Sequence, residues 1–282
     1  MGDPRQVLHA HGLRPKKSFG QNFLVNRHHT EAIAAACVPT IGSAEWVIEL
    51  GAGTGVLTAA LLERGARVIA VERDRDLLPV LRETFATELA AGTLTLIEGD
   101  AKQIDVAALL AEVGATRTVL AGNLPYQITG ALLELATQVR ALLSGAVFMV
   151  QKEVADRLLA TPGRKEYGAL SVFVGAQFEP RRVVQVPRTA FHPVPEVDST
   201  VVALTPRAHA IDEDASFRAV VRAAFAQRRK KLRNAWSKLA SAEHLQALAA
   251  TVGISLDARG EELSVADFAA FAQVLREAHA TR

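Results

Sequence analysis

Cysteine is nearly absent from this chain: Cys37 stands alone among 282 residues. No internal disulfide can form, and a reducing cytoplasm is the expected setting. Cys37 follows the small-residue run Ala34-Ala35-Ala36 and reads as a packed thiol rather than a reactive one. Long apolar runs are missing too. None approaches the roughly 18 residues that a membrane span requires, and the opening residues, with Asp3, Arg5, Gln6 and His9, do not resemble a secretory leader. An excess of one charge is also lacking, since the formal net charge is only +2 and names no partner. No internal repeat, low-complexity tract or run of heptads stands out, so a monomer is expected, and no residue grouping calls for a metal.

What is present is a globular composition, 49% hydrophobic, on a chain long enough for one large α/β domain and a smaller appended one. Basic residues gather at Arg14, Lys16 and Lys17, at Arg181 and Arg182, and in Arg228-Arg229-Lys230-Lys231 with Arg233. A phosphate backbone attracts such clusters, although any one of them alone reads as a solvated helix face.

From residue 46 apolar strands alternate with amphipathic helices. Trp46-Val47-Ile48-Glu49-Leu50 reads as a buried strand, Val56 to Glu63 as a helix, and Arg67 to Val71 as the next strand. Leu77 to Ala90 reads as helix, and Leu94 to Ile97, Thr118 to Ala121 and Ala146 to Val150 as further strands. This alternation predicts an α/β fold with a doubly wound, mainly parallel, Rossmann-like sheet and sites at the strands' carboxyl ends. Ser171 to Ala176, Arg182 to Val186 and Thr200 to Leu204 read as additional strands. After Pro206 β-branched residues thin out, and Phe217 to Leu239, Ala242 to Thr251 and Val265 to His279 read as helices. Asp214 or Ser216 and Ser264 are candidate N-caps, and Gly253 ends its helix. The expected division is 1–205, carrying the sheet, and 206–282, a small all-helical domain.

Glu49-Leu50-Gly51-Ala52-Gly53-Thr54-Gly55 lies between the first strand and its helix. Glycines there let the backbone turn tightly and approach a ligand that a Cβ would exclude. A dinucleotide fingerprint needs glycines at 51, 53 and 56, and position 56 is Val. The pattern fits a methyltransferase loop, with Gly51 and Gly53 facing the amino-acid part of S-adenosylmethionine. Glu72 ends the second strand, where an acidic group can accept from ribose hydroxyls, as it also does in nicotinamide enzymes. Asp100, after the third strand, can accept from the cofactor's adenine amine; taken alone, an Asp there is more often a cap or turn residue.

Gly122-Asn123-Leu124-Pro125-Tyr126 follows the fourth strand. An aniline-like amine such as adenine N6 is a poor nucleophile because its lone pair is delocalised into the ring. Two acceptors aimed at the N6 hydrogens draw the nitrogen toward tetrahedral geometry and free that pair. The side-chain oxygen of Asn123 and the carbonyl of Leu124 suit this, Pro125 stiffens the loop, and Tyr126 offers a ring to an extruded base. No strong general base is needed, so catalysis comes mainly from positioning.

Through these motifs the chain resembles the ribosomal RNA adenine dimethyltransferases, in their bacterial small-subunit branch, over nearly its whole length. The resemblance begins at Lys17-Ser18-Phe19-Gly20-Gln21-Asn22-Phe23-Leu24 and includes Gln151-Lys152-Glu153-Val154-Ala155-Asp156-Arg157. Its last signature is Phe191-His192-Pro193-Val194-Pro195 with Val197-Asp198-Ser199. It implies that Asn22 and Leu24 contact the cofactor along with Gly51, Glu72, Asp100 and Asn123, and that Phe191 stacks on the target base opposite Tyr126. His192 reads as a loop residue. The implied reaction is dimethylation at N6 of two adjacent adenosines near the 3′ end of 16S rRNA in the small ribosomal subunit. The basic run Arg228, Arg229, Lys230, Lys231 and Arg233 would grip rRNA phosphates. Two departures, Gly-Ala-Gly-Thr-Gly where many members carry Gly-Pro-Gly and Gln127 where Asn is usual, leave affinity and rate open but not the reaction type. A macrolide-resistance methyltransferase of the large-subunit rRNA, a non-catalytic assembly factor and a dehydrogenase are the alternatives. The N-terminal signature and tail speak against the first, intact Asn123 and Tyr126 against the second, and Val56 against the third.

Overall fold

Short runs of β-branched and aliphatic residues, bounded by glycine and polar turns, become strands because only a sheet covered on both faces can bury them without a polar side. The computed structural model describes residues 2–227 and 229–280. Its strands are β1 (Phe23–Leu24), β2 (Trp46–Leu50), β3 (Arg67–Glu72), β4 (Leu94–Glu98), β5 (Thr118–Asn123), β6 (Leu143–Gln151), β7 (Phe178–Val186), β8 (Phe191–His192) and β9 (Ser199–Pro206). Seven of them form one sheet in the order β4-β3-β2-β5-β6-β9-β7. Strands β2 to β6 pair in parallel, and β9 joins antiparallel to β6. The expected doubly wound, mainly parallel sheet is present. Strand order reverses between β2 and β5, because β2 leads to β3 and β4 on one side and has β5 and then β6 on the other. A cleft opens at the carboxyl ends of such a switch point.

The chain forms two compact units, Met1–Ala155 with Arg181–Pro206, and Asp156–Pro180 with Arg207–Arg282. A single cut between 205 and 206 therefore leaves residues 156–180 on the other side from the helices they join. The reason is visible in Ser171 to Ala176, which reads as a strand in sequence but lies in the helix Ala169–Gln177. Ser171, Val172, Val174, Gly175, Ala176 and Gln177 are all buried. A helix buried on most sides shows no polar stripe, so a short apolar run gives no period to read.

In the helical unit Trp236 is fully buried, stacks on Phe271 with centroids 4.1 Å apart, and donates from Nε1 to the carbonyl of Val220 over 3.0 Å. Asp214 caps the helix Ala215–Ala226 through the amide of Phe217. The continuous helix expected from Phe217 to Leu239 is broken after Ala226. The amides of Leu232 and Arg233 donate instead to the carbonyls of Ala258 and Leu256, which leaves only the short helix Leu232–Ala235 beyond. Ser264 and Asp267 exchange side-chain-to-amide bonds at the start of the last helix, Val265–Ala280. Among the described residues no helix is long and apolar enough to cross a membrane.

Candidate active site

At the carboxyl ends of β2 to β5 lies a cleft of about 930 Å³, open to solvent, whose walls include Gly51, Gly53, Glu72, Asp100, Asn123 and Tyr126. Its floor is the glycine loop. Gly53 has φ +58°, a conformation that favours glycine, and a Cβ there would lie 3.2 Å from the Phe23 ring, close enough that the ring would have to shift. Gly55, at φ +84°, caps the helix Val56–Glu63, and a Cβ there would collide with Phe85 at 2.5 Å. The third glycine thus sits one residue before the position that a dinucleotide fingerprint requires.

Glu72 is 7% exposed and both its oxygens are engaged. Oε2 accepts from the Gly53 amide over 2.7 Å and Oε1 from the Asp74 amide over 2.7 Å. Burial raises its pKa against these two amides, which lower it. Each oxygen keeps a second lone pair, so the carboxylate can still accept from a diol while it fixes the glycine loop. Asp100 lines the same cleft. Its Oδ1 accepts from the Lys102 amide over 3.0 Å, the turn role, and its Oδ2 lies 3.5 Å from Arg73.

Asn123 ends β5, and its Nδ2 donates to the carbonyl of Asn22 over 2.8 Å. Because the amide is planar, this bond turns Oδ1 to the opposite side as an acceptor. The loop after it is tied down at both ends. The amide of Leu124 donates to Met149 over 3.1 Å, and the Pro125 carbonyl accepts from the Ile128 amide and the Thr129 hydroxyl. Tyr126 is half-buried, with its hydroxyl 3.3 Å from Oγ of the buried Ser199. The Val197-Asp198-Ser199 signature therefore meets the Asn-Leu-Pro-Tyr loop at this hydroxyl pair.

Phe191 is placed differently from the stacking role expected of it. It is 3% exposed, pairs through β8 with Leu24 of β1, and packs in the apolar core rather than along the cleft. Leu24, 8% exposed, faces a smaller cavity behind the glycine loop, and Asn22 reaches the cleft itself. That smaller cavity, about 430 Å³, also reaches Glu49. Glu49 is buried on β2 with the Thr58 hydroxyl donating to it over 2.5 Å, and burial pushes its pKa up to about 8, so it holds a proton at neutral pH. Nothing in the sequence marks this, because Glu49 reads as one polar residue in an apolar strand.

Phe19 and Phe23 stand in the N-terminal signature without a role of their own, and nothing in the sequence marks Asp74. Phe19 and Phe23 line the cleft, and the Arg73 guanidinium lies 5.0 Å from the Phe19 ring. Of the basic residues expected to meet RNA, Arg228 lies outside the described residues. Arg229 and Lys230 are exposed, whereas Lys231 and Arg233 both pair with Asp257, over 2.8 and 2.5 Å.

A family model described as ribosomal RNA adenine dimethylase matches residues 12–277 of this chain. The chain is 43% identical to the ribosomal RNA small subunit methyltransferase A of Anaeromyxobacter sp. (strain K), over 96% of this chain and 97% of that protein. It is 42% identical to the protein of the same name from Myxococcus xanthus (strain DK1622), over 98% and 96%. Among solved structures, a dimethyladenosine transferase from Plasmodium falciparum matches with a TM-score of 0.74 and 25% identity, over 87% of this chain and 94% of that one. The 23S rRNA methyltransferase ErmE matches with a TM-score of 0.70, over 90% and 99%, and at 24% identity the likeness is one of fold.

Proposed function

The chain belongs to the ribosomal RNA adenine dimethylase family, and from that premise we propose that it methylates adenine N6 in 16S rRNA of the small ribosomal subunit. Its targets are two adjacent adenosines near the 3′ end, its product is N6,N6-dimethyladenosine, and its place is in ribosome biogenesis in the cytoplasm, acting as a monomer. The small-subunit choice is supported by the names of relatives that match it end to end.

The observation that carries the chemistry is the bond from Asn123 Nδ2 to the Asn22 carbonyl, which keeps Oδ1 available as an acceptor; in this reading the Leu124 carbonyl is the second acceptor. The two accept the hydrogens of the adenine amine and hold its nitrogen with the lone pair pointed into the cleft. Tyr126 presents its ring to the base, worth roughly 1–3 kcal/mol of stacking. The buried Phe191 is not assigned a face of the base.

The cleft fits S-adenosylmethionine. The glycine loop lines the cleft at Gly51 and Gly53, with open space where a Cβ at Gly51 would lie, and Glu72, Asp100 and Asn22 offer acceptors for a diol, an amine and an ammonium group. When bound, this cofactor supplies a methyl group already activated on a sulfonium. The protein then has to position the amine and exclude water, and the surplus proton of the product nitrogen leaves to solvent without a dedicated base. Arg229 and Lys230, exposed on the helical unit, contact rRNA phosphates.

The test is incubation with labelled cofactor and unmethylated small subunits, followed by mass mapping of the modified nucleosides. Label on two adjacent adenosines as the dimethyl form is the expected result. Label on large-subunit rRNA, or on any atom other than N6, would remove the reading.

A further inference from the structure

Asp74 takes no part in the chemistry above, yet it is a charged side chain with only 2% exposure. It lies two residues beyond the end of β3, and its carboxylate accepts three bonds. Lys16 Nζ donates to Oδ1 over 2.5 Å, Gln21 Nε2 to Oδ2 over 2.8 Å, and the Asp76 amide to Oδ1 over 3.1 Å. Lys16 also pairs with Asp76 over 2.6 Å, and its amide donates to Gln21 Oε1 over 2.7 Å. The segment from Lys16 to Gln21 is thus closed on itself and tied down at one buried point. Burial alone would raise the pKa of Asp74; the bonds from Lys16 and Gln21 outweigh it and hold the group below the ordinary carboxylate range.

Gln21 and the residues flanking it line the cleft. Gly20 lies against Pro125, at 3.7 Å from the place a Cβ would occupy; Asn22 gives its carbonyl to Asn123; and the Phe23 ring rests on Gly53. We propose that Asp74 is a positioning residue for methyl transfer: by holding Lys16 and Gln21 it sets the Asn22 carbonyl, and through that carbonyl the orientation of Asn123. The proposal rests on Asn123 as the acceptor for the adenine amine. Asp74 touches no reacting atom. Its own amide, donating to Glu72 Oε1, links the same turn to the carboxylate that fixes the glycine loop.

The test uses the full chain and unmethylated small subunits. In Asp74→Ala, tryptic cleavage after Lys17 is expected to speed up about tenfold, and amide exchange from Gln21 to Phe23 to rise with it. The single-turnover rate at saturating cofactor is expected to fall by about tenfold to a hundredfold, the scale of a displaced catalytic group. Asp74→Glu, which keeps the charge, should recover part of both. Should Asp74→Ala fail to fold, Lys16→Met and Gln21→Ala leave β3 untouched and are expected to show the same pair of changes on a smaller scale. Lower thermal stability with wild-type cleavage after Lys17 and wild-type single-turnover rates would overturn the proposal. Asn123→Ala in the same assay separates two failures. Full activity there would sink the reading of the site itself, whereas an inactive Asn123→Ala beside unaffected Lys16→Met and Gln21→Ala would sink only the role of Asp74.

Discussion

Asn123 and Asn22 lie 101 positions apart in the chain, and the side-chain nitrogen of the first is bonded to the main-chain oxygen of the second. That bond fixes the side-chain amide of Asn123, a residue that lines the cleft. Asn123→Ala removes the acceptor without disturbing Glu72 or the glycine loop. Single-turnover methylation should fall by about a hundredfold or more, the cost of losing one preorganised polar group. Calorimetry should find cofactor affinity largely kept. Full activity would take Asn123 out of the mechanism.

Glu49 gives a pH-dependent prediction. Its pKa stands near 8 in the folded protein against 4.5 ordinarily. Below about pH 4.5 it is neutral in both states. Between there and about pH 8 only the unfolded chain ionises, so stability falls as pH rises and levels off beyond. At pH 7 the loss is on the order of 3 kcal/mol. Glu49→Gln keeps an acceptor for Thr58 and removes the charge, so its melting temperature should drop less between pH 5 and pH 8 than that of the wild type. Parallel pH curves for the two proteins would contradict the buried, protonated state.

Tyr126 separates ring from hydroxyl. Tyr126→Phe loses only the 3.3 Å contact with Ser199 and should cost severalfold in rate, about 1 kcal/mol or less. Tyr126→Ala loses the ring and should weaken the transition state by roughly 1–3 kcal/mol. Equal losses in the two variants would mean that the hydroxyl, not the ring, is what the reaction uses.

The basic turn is tested by salt. Arg229 and Lys230 are exposed without an ion pair among the described residues, whereas Lys231 and Arg233 are held by Asp257. Alanine at both 229 and 230 should lower affinity for small subunits and flatten the dependence of log K on log salt by about 1–2. Alanine at Lys231 should do less. An unchanged slope would place the RNA elsewhere on the protein.

The sheet and the place of its cleft were readable because several strands run straight into glycine or polar residues, so a run such as Trp46 to Leu50 followed by Gly51 marks both a strand and the cleft at its end. The place of Asn123 and Tyr126 at the cleft was legible because they close and follow the strand read at Thr118 to Ala121. Phe191 was not. Its motif is plain, but whether a ring points to a cleft or to a core depends on pairing with Leu24, far away in sequence. Asp74 was hidden likewise, because Lys16 and Gln21 come from 58 and 53 positions earlier. The helix Ala169–Gln177 escaped because burial on most sides erases periodicity, and the break after Ala226 because the amides of Leu232 and Arg233 find partners at Ala258 and Leu256.

The helical unit is assembled from two stretches of chain, 156–180 and 207–282. As the polypeptide leaves the ribosome that makes it, Tyr167, Val172 and Ala176 emerge well before Phe217, Trp236 and Phe271, with which they share one apolar cluster. These early side chains stay exposed to water until the later members of the cluster have followed them. A fragment beginning at Arg207 would carry the reverse defect, a core with three of its pieces left out, so this tail is not a module that can be transplanted by a single cut.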